Sequence, residues 1–225
     1  MNRFTIVTVI FVAFMFVACH DSREDVSTPR SEKDVYKTIG EQIPFETGMQ
    51  WIDLYKSGNS GQGRLDLLPY HIPATQLDSM ILSTEDLTGI AFHHAIDSLG
   101  QAHILAIPVN SSLRLWGSGQ GRIFIDANSG SQIDESVALA WAQNYKSDHP
   151  SGIWFHFFGR DIFDEIRALP HFENIDIQPA TSTLDLSPQM LLIIWNGDYT
   201  TNGRTSSESG IVYDASNACP PCAVE

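Results

Sequence analysis

The sequence predicts an α+β body in which one unit is used twice. Each unit runs helix, strand, helix, strand, strand, strand, and forms a mostly antiparallel sheet with helices packed on it. Three observations carry this expectation. Five segments recur in the same order, at separations of 90, 85, 85, 86 and 88 residues. Some of these segments repeat apolar residues every third or fourth position, and others carry short continuous apolar runs, the marks of helices and of buried strands. Short connections such as Asp97-Ser98-Leu99-Gly100 join neighbouring strand candidates as β-hairpins do. The two units are placed at residues 40–130 and 131–218.

Each unit opens with a helix. Ile43 to Ser57 matches Ile133 to Ser147, which superposes Trp51 on Trp141 and Tyr55 on Tyr145. Ile133, Val137, Trp141 and Tyr145 recur every fourth residue and share one helix face. Pro44 suits a first helical turn, and Asp134 and Glu135 favour the positive end of the second helix. Next, His71 to Ile81 matches His156 to Ile166. Each copy begins at a strand end, passes a breaker (Pro73 or Gly159) and enters a short helix. Strand candidates follow at 90–95 and 175–180, then at 104–109 and 190–195. Ile123 to Asn128 finally matches Ile211 to Ser216, pairing Asp126 with Asp214 as turn-forming residues. The two units could share one sheet or pack as twin lobes.

The composition is globular: 43% of the 225 residues are hydrophobic and 18% charged, so wholesale disorder is excluded. Thirteen basic residues against 27 acidic ones give a net charge of −14, a field that repels nucleic acid and anionic membrane surfaces as partners.

The N-terminus supplies an address. After Arg3, Thr5 to Ala18 is an unbroken apolar run. It is shorter than the roughly 20 residues a spanning helix needs and has the form of a secretory signal over residues 1–18. The segment Phe16-Val17-Ala18-Cys19 resembles the lipobox of bacterial lipoproteins, with Phe at the position usually held by Leu. That resemblance implies cleavage before Cys19, lipidation of Cys19 and attachment to the membrane through it. Several acyl chains on one residue hold a protein stably. Residues 19–39 then read as a flexible acidic tether. Asp21, Glu24 and Asp25 resemble the short acidic signals that carry some bacterial lipoproteins to the outer face of the outer membrane.

Candidate chemistry is sparse. No His-Glu-x-x-His or paired Cys-x-x-Cys occurs, and adjacent His93 and His94 would point to opposite faces of a strand. No metal or other cofactor is therefore expected. No Gly-x-Ser-x-Gly elbow is present, so no catalytic residue is assigned. Two Ser-Gly-Gln-Gly-Arg stretches, at 60–64 and 118–122, precede strand candidates rather than helices, which argues for loops over phosphate cradles. His71 and His156, placed at equivalent strand-to-helix turns, are the weak pocket candidates, although residues at such turns more often cap or pack.

The C-terminal Cys219-Pro-Pro-Cys222 resembles thioredoxin-like redox sites, yet only three residues follow Cys222, too few for the helix such a site needs. With Cys19 lipidated, Cys219 and Cys222 are left as a candidate tail disulfide within residues 219–225. This tail and the Ile72-Pro73 helix start resemble those of bacterial surface lipoproteins of unassigned activity.

The expected function is a membrane-anchored envelope lipoprotein that binds a protein or glycan ligand or serves structurally. The alternative is an envelope hydrolase using carboxylates and a histidine such as His71 or His156. Equivalent histidines that are buried and satisfied would remove the hydrolase's candidates; one lining a pocket beside a carboxylate would support it.

Overall fold

The computed structural model describes residues 32–58, 70–117, 121–196, 209–214 and 217–219. The signal segment, Cys19, most of the tether, the 60–64 stretch, residues 118–120, Cys222 and the Cys219 side chain lie outside the described residues.

The chain forms an α+β fold with two antiparallel sheets. The first half contributes α1 (Glu32–Lys37), β1 (Glu41–Ile43), α2 (Phe45–Gly58), β2 (Tyr70–Pro73), α3 (Ala74–Ser83), β3 (Leu87–Ile96), β4 (Ala102–Asn110) and β5 (Phe124–Asp126). The second contributes β6 (Ser131–Ile133), α4 (Glu135–Asp148), β7 (Phe155–Gly159), α5 (Arg160–Arg167), β8 (Asn174–Thr181), β9 (Pro188–Asn196), β10 (Ser209–Asp214) and β11 (Asn217–Cys219). No described helix is long and apolar enough to cross a membrane.

The duplication is written into the strand order. One sheet runs β1-β10-β9-β8-β2, and the other, read from its far edge, β6-β5-β4-β3-β7 with β11 added outside β7. Each strand of the first sheet has its repeat counterpart at the same place in the second. The five-stranded sheet takes two strands from the first half and three from the second, and the six-stranded sheet takes three from each, so the halves neither form twin lobes nor share one sheet. The register agrees as well: Ile43 pairs with Val212 as Ile133 pairs with Phe124, and Leu105 pairs with Asp126 as Leu191 pairs with Asp214. A short strand, β1 or β6, precedes the first helix of each unit, which extends the expected pattern by one element.

Alternation along the strands builds three cores. In β9, Met190, Leu192 and Ile194 face the central core, while Leu191 and Ile193 face outward beneath α2. In β4, Ile104 and Ala106 face the centre, while Leu105 and Ile107 face outward beneath α4. The central core lies between the sheets and takes in α3 through Leu77 and Met80 and α5 through Phe163 and Ile166. Fully burying a side chain of this size contributes about 1.5–3 kcal/mol. Trp51 and Trp141 occupy equivalent helices, each packed on the outer face of a sheet.

Two expectations need correction. The tether ends before residue 32: α1 lies in its last stretch, with Tyr36 edge-on to Phe157 and Ile39 in the core. Gly159 records this approach, because a Cβ there would collide with the backbone carbonyls of Lys37 and Tyr36. The second correction concerns the His71-to-Ile81 match. Its separation is 86, not 85: Pro73 and Gly159 each cap the following helix, and Leu77 and Met80 correspond to Phe163 and Ile166. His156 is thus the counterpart of Tyr70, and His71 that of Phe157.

Candidate functional site

The one-residue correction separates the two sequence candidates. His156 faces the space between the sheets, opposite Phe92 and 6.2 Å from the His94 ring. It is 1% exposed, and burial pushes its pKa down to about 3. Its Nδ1 has no hydrogen-bond partner among the described residues. The equivalent position in the other half, Tyr70, is also buried, and burial raises its phenol to about 12. Both positions therefore hold a neutral group over the whole range between these values.

His71 is half-buried on edge strand β2, directly across from Asp176. Asp176 is buried and accepts a 2.8 Å hydrogen bond from the Trp195 indole. The His71 amide donates to the Ala127 carbonyl at 2.9 Å and ties the edge of one sheet to the end of β5 in the other.

His93 and His94 diverge as adjacent strand residues must. His93 stacks on Phe155 with its ring also 6.1 Å from Trp116, while His94 stacks on Tyr145. Burial lowers His93 to about 3 and His94 to about 4. Tyr145 in turn stacks on His149, and the Lys146 ammonium sits 4.4 Å from the Trp154 ring centroid. These rings are occupied by one another. No group of three potential metal ligands is assembled among the described residues.

A polar cluster that sequence reasoning did not assemble lies beneath α4. His103 on β4 sits between two carboxylates: its Nδ1 is 3.0 Å from Asp126 Oδ1, and its Nε2 is 3.6 Å from Asp97 Oδ2. Trp141 packs against the imidazole, with ring centroids 4.4 Å apart. Asp126 makes the expected Asx-type bond, accepting the Asn128 amide at 3.1 Å, and its second oxygen accepts the Ser129 hydroxyl at 2.8 Å. Asp97 closes the β3–β4 hairpin by accepting the Leu99 and Gln101 amides, each at 2.8 Å. Repeat pairing flagged Asp126 in the sequence, but His103 carries no local signal because its partners lie six residues before it and 23 after.

This cluster has a serine, a histidine and a carboxylate, but the order of contact is wrong for nucleophilic catalysis. Activation of a serine needs its hydroxyl on the imidazole. Here Ser129 donates to Asp126, and the remaining imidazole nitrogen faces Asp97. The arrangement holds the β4–β5 connection and the hairpin together.

An open cleft of about 480 Å³ lies between α3 and the segment after α5. Its lining includes Ala74, Asp78, Arg167, Leu169, His171 and Phe172. Arg167 Nε is 2.7 Å from Asp78 Oδ1, and its Nη1 is 3.9 Å from Asp164 Oδ1. Asp78 and Asp164 are repeat counterparts, so one guanidinium gathers the same residue from both halves. His171 holds a left-handed backbone at φ 60, uncommon for a residue with a side chain. Sequence reasoning missed this cleft because Asp78 and Arg167 come from different halves. No family model, no curated protein and no solved structure matches the chain.

Proposed function

We propose that the chain is a lipid-anchored component of a bacterial outer membrane that acts by binding a protein or glycan, with the cleft at Arg167 as its contact site. The anchor rests on the Phe16–Cys19 resemblance and the apolar leader before it. One observation carries the preference for binding over catalysis: His93 and His156 are enclosed in the packed interior and His94 stacks on Tyr145, so none of the three lines the cleft. The cleft supplies what a binding site needs, a half-exposed cation and acceptor beside Leu169 and the Phe172 ring.

The anchor is tested by mass spectrometry of the N-terminal peptide. An acylated Cys19 is expected, and an unmodified one ends the lipoprotein reading. The contact site is tested by glycan and peptide capture with the full protein and with Arg167→Glu. A captured ligand lost in the variant supports the cleft, and undiminished capture removes it.

A hydrolase is the second reading, favoured by one specific arrangement: half-buried His71 opposite the Asp176 carboxylate. A turnover of ester or glycoside substrates that His71→Ala abolishes would replace the binding proposal.

A further inference from the structure

Each half forms its own hairpins, but both sheets are completed only by strands from the other half. Strands β1 and β2 of the first half pair with β10 and β8 of the second, while β6 and β7 of the second pair with β5 and β3 of the first. The two long helices also cross between halves: α2 packs on β8 and β10, and α4 packs on β3. The halves are joined at one edge of the six-stranded sheet. There Asp126 and Ser131 face each other across a turn of only Ala127, Asn128, Ser129 and Gly130. That turn is held by the Asx bond of Asp126, by Asn128 bonds to Ala102 and Ile104, and by Gly130 at φ 65.

We infer that a second copy of this chain is a structural partner, through reciprocal exchange of the halves at the 127–130 turn. A dimer in which residues up to 126 of one chain pair with residues from 131 of another keeps every strand pairing and helix contact between halves that the monomer has. It loses only the turn and gains a continuous β5–β6 crossing. The balance is set by effective concentration. A short connection holds the two halves of one chain at about millimolar effective concentration, which favours the monomer in dilute solution. A connection that cannot reverse direction reduces that value to near zero and leaves the intermolecular pairing as the way to complete both sheets.

The experiment deletes Asn128, Ser129 and Gly130 from the full chain. Only Ala127 then separates the paired residues, fewer than the two-residue loop of the tightest common hairpins. Size-exclusion chromatography with light scattering should give twice the monomer mass, with the near-ultraviolet circular dichroism of the parent. A folded monomer of the deletion variant overturns the inference. A second measurement covers failure of that variant to fold. Two differently tagged copies of the unaltered full chain are refolded together from denaturant at high concentration. Mixed dimers that survive dilution are expected. Exclusively monomeric product, with no co-purification of the second tag, overturns the proposal.

Discussion

The two outer faces of the molecule share a plan and differ in chemistry. Beneath α4, the six-stranded sheet presents His103 between Asp97 and Asp126, covered by Trp141. At the corresponding places beneath α2, the five-stranded sheet carries Gln189, Ser182, Asp214 and Trp51. Ser182 plays the part of Asp97, accepting the amide two residues on at 3.1 Å as Asp97 does at 2.8 Å. Gln189 donates to Ser187, and the Trp51 indole donates to Thr183 at 3.0 Å. Two positions thus differ, His103 and Asp97 on one face against neutral Gln189 and Ser182 on the other, while a carboxylate is kept at Asp126 and Asp214 over the same backbone register. The pleat and the covering tryptophan fix the geometry, while the polar group filling the space is free to vary provided its partners vary with it.

The largest expected effect exposes a difference between the halves in the approach of α1. Gly159 lies against the α1 backbone, an approach that its counterpart Pro73 does not share among the described residues. Gly159→Ala should destabilise the fold by about 3 kcal/mol through the clash with Lys37 and Tyr36, read from urea unfolding. An unchanged midpoint would mean that α1 does not dock there.

The next effect separates Tyr70 from His156. Burial puts His93, His94 and His156 below their unfolded value of about 6.5, so the unfolded chain binds more protons as the pH falls. Their contribution to stability is intact above pH 6.5 and is lost progressively towards pH 3. Each such group supplies a slope of up to about 1.4 kcal/mol per pH unit. His156→Phe should remove about a third of the histidine-dependent loss between pH 6 and pH 4. A variant as acid-sensitive as the parent would contradict the burial of His156.

The outer-face comparison itself is sharpened by transplanting one residue. His103→Leu removes the imidazole beside the buried Asp126 carboxylate and should cost about 2 kcal/mol. His103→Gln, which copies the other half, should cost about 1 kcal/mol because an amide can still donate to Asp126. Equal losses in calorimetric unfolding would refute the equivalence of the two positions. The smallest effect is at the cleft. Arg167→Ala should change stability by less than about 1 kcal/mol, since both partners of its ion pair are substantially exposed. A larger loss would make Arg167 a structural residue rather than a contact residue.

The duplication was legible because it leaves apolar spacing and breakers at near-constant separations. The helices carrying Trp51 and Trp141 keep a separation of 90, and the ends of β5 and β10 keep 88. The one-residue slip at His71 arose from matching histidine to histidine. Aligning the breakers Pro73 and Gly159 gives the observed 86, and on a strand that single residue moves a side chain to the opposite face. Strand exchange between the halves was not legible, because spacing within a segment says nothing about which distant segment completes its sheet. The His103 cluster and the Arg167 cleft stayed hidden for the same reason: Asp126 and Asp78 meet their partners only after the strands have crossed.

The central claim is that each sheet is completed by strands of the other half, and cross-strand nuclear Overhauser effects test it most directly. Backbone contacts between His71 and Asp176 and between Phe92 and His156 are expected. Contacts pairing β2 with β3, strands of the same half, in place of these would contradict the account.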